Sequence, residues 1–234
     1  MRLLLLLTVT ICLFNGCSSK NKEQKPDSVA LPTNTTGTTP LAKEDWECIA
    51  GEKAGVITAI TSEQELIGKL GSANVSAHDT VFGAEGFFSI GTILFKGTPN
   101  EAQIVWKDTT HFRNPEYVEL GFAPTGQEGQ IKWFTNTGIK VGTTLKELEQ
   151  INVGSFRFSG FGWDYGGTVV DWAGGKLADP HSPGLLSVIL AYEFENPALQ
   201  TVADKLLGDS AFDSTDPNAQ KLNPYVSHFI ISFR

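Results

Sequence analysis

The pattern of apolar and polar positions divides the chain into three parts. Leu3 to Phe14 is a predominantly apolar run of twelve residues behind the basic start Met1-Arg2. Residues 18–40 are rich in Ser, Thr, Asn, Lys, Gln and Pro, with almost no large apolar side chain. From Trp46 onward apolar positions recur at helix or strand period, and this part is expected to fold.

Within that part, Thr58 to Leu70 predicts a short helix. Ser62-Glu63-Gln64-Glu65 forms a capping box, Leu66, Ile67 and Leu70 share one face, and Gly71 stops it. Strand-like runs follow at Gly86–Lys96, Glu101–Lys107, Glu116–Phe122 and Gln130–Thr135, each bounded by Gly, Pro or Asn. A second capping box, Thr144-Leu145-Lys146-Glu147, precedes Leu148 and Ile151 on one face. Gly154 to Gly175 packs three Phe, two Trp and one Tyr among glycines. Such a stretch predicts a strongly bent β-hairpin whose aromatics fill the core, with glycines permitting close backbone approach. Leu185–Glu195 and Tyr225–Phe233 read as further strands. Asn196-Pro197 supplies an N-cap and a proline at the first helical position for a helix ended by Gly208. Asp209 to Pro224 is acidic and polar and is expected to be a loop.

The pattern restarts once. Ser62, Glu65 and Leu66 lie 82 residues ahead of Thr144, Glu147 and Leu148. An internal duplication follows from that offset, and with it an α+β fold: two similar units, each a short helix on an antiparallel sheet around an aromatic core. The expected division is residues 1–16 as a signal peptide, 17–43 as a disordered tether, 44–136 as the first unit and 137–234 as the second, the two units able to form one continuous domain.

Charge and cysteines bear on placement. The apolar run is shorter than the ~20 residues a membrane-spanning helix needs and fits the core of a signal peptide. It stops at Leu13-Phe14-Asn15-Gly16-Cys17, where a small residue precedes a cysteine. This resembles the lipobox of bacterial lipoproteins, although Phe14 and Asn15 depart from the usual small or branched residues. The resemblance implies cleavage after Gly16 and lipidation of Cys17, placing the protein in the cell envelope, anchored to the outer membrane. A tether of about 23 residues reaches roughly 25–30 Å, enough to lift a domain off lipid headgroups. Losing Arg2 with the leader shifts the formal charge from −8 to −9. That balance argues against nucleic acid or anionic lipid as an electrostatic partner. Cys12 leaves with the leader, so Cys48 has no partner for an intramolecular disulfide and reads as a small buried hydrophobe.

Candidate chemistry is sparse. Asp164, Asp171, Asp179 and His181 are the densest titratable group; folded together they would suit a hydrolase, but each also reads as a turn residue. Asp209, Asp213 and Asp216 lack the ligand spacing of a calcium loop, and no metal or cofactor site is expected. There is no Gly-x-Ser-x-Gly elbow and no phosphate loop. The aromatics Trp163, Tyr165 and Trp172 are candidates for ligand binding if exposed, and for core packing if not. Strict alternation would put Phe161, Trp163 and Tyr165 on one face. Asp followed by Ser or Thr and a small or apolar residue recurs, similar to an O-glycosylation sequon of exported Gram-negative proteins, with Ser28, Thr80, Thr109, Ser210 and Ser214 as acceptors.

For the body, Gly142-x-Thr144-Leu145-x-Glu147-Leu148 and its weaker copy at Ser62 resemble the helix openings of the β-lactamase-inhibitor-like tandem α+β fold. That fold is shared by secreted inhibitors and small outer-membrane assembly lipoproteins, and the resemblance fixes no functional residue. The expectation is a lipid-anchored envelope protein with a non-catalytic binding or scaffolding domain, held to the membrane through Cys17 and contacting an envelope protein or a glycan. A carbohydrate- or peptide-binding module is the alternative; a hydrolase using Asp164, Asp171 and His181 is the third reading.

Overall fold

The structure is a computed structural model and describes residues 45–122, 127–178, 184–194 and 196–234. Cap chemistry opens the helices. Three short strands, β1 (Glu47–Ile49), β2 (Lys53–Ala54) and β3 (Ile57–Thr58), lead to helix α1 (Glu63–Leu70), which starts where Ser62 Oγ accepts the Glu65 N–H. A meander follows: β4 (Val75–Phe82), β5 (Phe88–Leu94), β6 (Ala102–Asp108) and β7 (Arg113–Leu120). After the short β8 (Phe134–Thr135), helix α2 (Leu145–Asn152) opens on a complete capping box: Thr144 Oγ1 accepts the Glu147 N–H, and the Glu147 carboxylate accepts the Thr144 N–H. The remainder is β9 (Arg157–Ser159), β10 (Val169–Asp171), β11 (Leu186–Ala191), α3 (Pro197–Ala203), β12 (Ala211–Asp213), α4 (Pro217–Leu222) and β13 (Tyr225–Ser232).

The fold is α+β. Its main sheet is antiparallel in the order β11-β13-β7-β6-β5-β4. The first half of the domain supplies β4 to β7, the second half supplies β11 and β13, and they join where Phe229 pairs with Leu120 and Ile231 with Val118. Along each strand alternate residues reach the core: Ile104 and Trp106, Val118 and Leu120, Val188 and Leu190, Phe229 and Ile231 are all buried. Leu66 of α1, Leu145 and Leu148 of α2 and Leu222 of α4 belong to the same apolar cluster. Burying such side chains contributes about 1.5–3 kcal/mol each. A smaller cluster of Val81, Ile93 and Val105 packs with Tyr117; Ile93 alternates with core-facing Leu94, which assigns this cluster to the other face of the sheet. Two further sheets have the orders β3-β2-β1-β8, with β1 and β8 parallel, and β10-β9-β12.

Four expectations need correction. The strand β4 lies where none was expected, because Ser76, His78, Asp79 and Thr80 give it no apolar alternation. The aromatic stretch is a bulged antiparallel hairpin of Arg157–Ser159 and Val169–Asp171, but its aromatics do not all face the core: residues 160–167 form a glycine-rich turn that leaves Trp163 and Tyr165 exposed. The expected loop Asp209–Pro224 holds β12 and α4, whose N-cap Asp216 accepts the Asn218 and Ala219 N–H groups ahead of Pro217. The expected strand at Gln130 shrinks to Phe134–Thr135.

Candidate functional site

The β4–β5 hairpin is longer than the sheet it belongs to. Pairing of β5 with β6 stops at Thr92↔Ile104, whereas pairing with β4 continues to Phe82↔Phe88. Gly91 sits where the strand passes the Ile104 carbonyl so closely that a Cβ would collide with it. Past that crossing the hairpin projects as a two-stranded tip. Its turn closes with Gly83 N–H donating to Phe87 O at 2.8 Å and Phe87 N–H donating to Ala84 O at 3.1 Å. Phe82, Phe87 and Phe88 are 71%, 72% and 67% exposed.

A second loop meets this tip. Between β9 and β10, Trp163 Nε1 donates to Gly160 O at 2.9 Å, and Gly166 N–H donates to Trp163 O at 2.9 Å. Trp163 and Tyr165 pack edge to face, with ring centroids 5.3 Å apart, and are 42% and 48% exposed. Gly167, at φ +80°, lies against the Leu190 backbone, where any Cβ would clash, so the loop is seated directly on β11. The Asp164 carboxylate accepts the Glu85 N–H at 2.9 Å, tying the loop to the hairpin turn. Five solvent-facing aromatics therefore surround one junction, and exposed Leu207 lies beside Gly162 at its edge. Exposed apolar surface gathered in this way marks an interaction site more often than scattered single residues do.

The aromatics named from the sequence thus divide. Trp163 and Tyr165 are exposed. Phe161, expected on their face, is buried and packs on Phe158 and Tyr192 at 5.7 and 5.0 Å, because a turn and not a strand separates it from Trp163. Trp172 is half-buried, packing on Phe156 at 5.4 Å against the core. The three phenylalanines of the tip were missed; one directly before a Gly-Ala-Glu-Gly turn and two in a row after it were the available signal.

The carboxylates proposed for hydrolysis have backbone partners. Asp164 holds the Glu85 N–H, and Asp171 Oδ1 accepts the Ala173 N–H at 2.8 Å in a turn. Asp179 and His181 lie outside the described residues, as do Cys17 and Ser28. Asp213 holds both the N–H and the hydroxyl of Thr215, and Asp216 caps α4. Among the described residues no cluster of His, Cys, Asp and Glu has the placement of a metal site. Of the sequon residues, Thr109 and Ser210 are exposed and Thr80 is half-buried. Ser214 is a correction. It is fully buried, donating to Glu149 Oε1 at 2.6 Å and accepting the Phe156 N–H at 3.0 Å, so the folded protein offers no room for a glycan there. Cys48 is buried, which pushes its thiol up to about 12 and leaves it inert as a nucleophile.

A buried titratable pair away from the tip is perturbed. His228 Nε2 lies 3.2 Å from Glu119 Oε1, and its Nδ1 lies 2.8 Å from Ser227 Oγ, which donates to Ile189 O at 3.1 Å. Burial raises Glu119 to about 7 and lowers His228 to about 4. Both shifts favour the neutral pair. One set of protons then satisfies every contact: Glu119 O–H to Nε2, Nδ1–H to Ser227 Oγ, and the Ser227 hydroxyl to Ile189 O. That hydroxyl is committed to a backbone carbonyl, which makes this a structural chain and not a nucleophile–base pair.

Among the described residues no helix is long and apolar enough to cross a membrane. Comparison with family models, with curated proteins and with solved structures finds no match in any of the three.

Proposed function

We propose that this chain is a lipid-anchored protein of the bacterial cell envelope, probing its surroundings with a non-catalytic binding domain whose contact surface is the aromatic tip. The observation that supports this most is the junction itself: Phe82, Phe87, Phe88, Trp163 and Tyr165 face solvent around the Glu85–Asp164 hydrogen bond. Aromatic side chains supply large contact area at little conformational cost, and they dominate binding hot spots. The anchor rests on the lipobox-like segment ending at Cys17.

Two measurements test the parts separately. Radioactive palmitate should label the wild type and not Cys17→Ala; equal labelling ends the anchor reading. Cross-linking in intact envelopes from a probe placed at Phe87 should give a defined product, and the product should vanish on Trp163→Ala. A crosslinking pattern equal to that of a probe on exposed Lys221 would remove the tip as the contact surface.

A carbohydrate ligand is the second reading, favoured by the fixed edge-to-face pair of Trp163 and Tyr165 beside the Asp164 carboxylate. Titration with envelope polysaccharide, monitored by Trp163 fluorescence, distinguishes it.

A further inference from the structure

The aromatic tip has the shape and composition of an interfacial membrane anchor. It is a projecting hairpin and not a cleft, so it does not enclose a small ligand, which needs a concave site. A bilayer accepts a convex apolar projection without matching its shape. The side chains are also graded as an interface grades them. Phe82, Phe87 and Phe88 are apolar throughout, while Trp163 and Tyr165 carry polar handles suited to the headgroup level. The Trp163 N–H already has its partner in Gly160 O. Glu85 and Asp164 lie among the rings, where a carboxylate suits the ammonium of a zwitterionic headgroup and is repelled by an anionic one.

The chain outside the described structure argues for the same occupant. It joins the domain at Trp46, whose ring packs on Phe95 with centroids 5.4 Å apart. The tip residue Phe88 opens β5 and Phe95 directly follows its other end, seven residues or roughly 23 Å away. From Cys17 to Asp45 the chain has 28 steps, and linkers of that length have a root-mean-square reach of roughly 30 Å. A lipid on Cys17 and the tip of the hairpin can therefore rest on one bilayer together. We propose that the tip formed by Phe82, Phe87, Phe88, Trp163 and Tyr165 inserts shallowly into the interface of a zwitterionic membrane, giving the protein a second hold beside its N-terminus. The inference shares the surface of the reading above and deepens it by naming the partner.

The test uses the full chain reconstituted with phosphatidylcholine–phosphatidylethanolamine vesicles whose acyl chains carry bromine, a short-range quencher of tryptophan. The quenching attributable to Trp163 is the difference between the wild type and Trp163→Phe. It should be substantial, fall several-fold in Phe87→Ser/Phe88→Ser, and weaken when phosphatidylglycerol replaces part of the neutral lipid. An unchanged thermal melt of the double variant would show that folding is intact. If the protein sediments with the vesicles yet Trp163 is not quenched, the tip does not insert and is left to a protein or glycan partner, which overturns the proposal. Repeating the measurement with Cys17→Ala separates the two readings: quenching that persists while palmitate labelling is absent in the wild type refutes the anchor and leaves the tip.

Discussion

At the scale of single residues, the polar groups inside this domain are paired in ways that make their removal costly. Glu63, nearly buried, accepts the Thr92 hydroxyl at 2.6 Å and the His78 N–H at 3.1 Å, while Thr92 Oγ1 accepts Trp106 Nε1–H at 2.9 Å. Thr92→Val keeps the shape but leaves both Glu63 and the indole short of a partner. A loss of about 1–3 kcal/mol is expected, measured by urea unfolding; a loss below about 0.5 kcal/mol would show that water replaces the hydroxyl. Glu119 sets a pH signature. Its folded value of about 7 lies above the ordinary 4.5, so the protonated carboxyl is favoured by folding. Its contribution is complete below pH 4.5 and lost as pH rises to about 7. His228 runs the other way, its contribution being present above 6.5 and lost as pH falls to about 4. The two oppose each other in the wild type between pH 4.5 and 6.5. The melting temperature of Glu119→Gln minus that of the wild type should therefore climb from pH 4.5 to 7 and level off above. A flat difference would mean that the carboxyl titrates normally. Cys48 should resist iodoacetamide in the folded protein and react once it is unfolded, as its buried thiol requires.

At the scale of elements, what the sequence makes legible is what a few neighbouring residues decide. Helices α1 and α2 were readable because a Ser or Thr three residues before a Glu accepts that residue's free N–H whatever the rest of the chain does, and Glu147 returns the bond in α2. Thr144→Ala, which removes one side of the complete box, should cost about 1 kcal/mol, seen as a lower urea midpoint with unchanged slope. Strand β4 was unreadable since its polar residues serve tertiary partners: Asp79 accepts from Ser76 and Lys96, and His78 turns back to Glu63 at φ +51°. Helix α4 had the same Asx-Pro start as α3, but its acidic surroundings masked that signal. The candidate site was half visible. Trp163 and Tyr165 drew notice through composition alone, and period-two alternation then misplaced Phe161 because Gly162 and Gly167 turn the chain. Phe82 and Phe88 pair across a local hairpin but join Trp163 and Tyr165 only through the distant Glu85–Asp164 bond, and nothing local announces that the hairpin outruns β6.

At the scale of the whole molecule, one sheet unites two halves that the sequence presents as repeats, and they contribute unequally to it. The tip stands apart from the shared core. Phe87→Ser/Phe88→Ser should therefore shift the melting temperature by no more than about 2 °C, consistent with surface substitutions of within about 0.5 kcal/mol. The same variant should be less prone to self-association in light scattering, since an exposed apolar patch is a liability in free solution. A drop of many degrees would show that these rings support the core. Strand β13, far beyond the meander in sequence, has a different place: it lies between β7 and β11, hydrogen-bonded to both. While the chain is being synthesised, the meander from β4 to β7 is complete long before residues 225–232 leave the ribosome, and the β7 backbone waits with one side bare. An open strand of that kind recruits whatever strand is near, including that of another nascent copy. Docking of the eight-residue strand β13 on β7, and not collapse of the meander, is then the event that completes the sheet, and a chaperone that shields β7 until then would raise the yield.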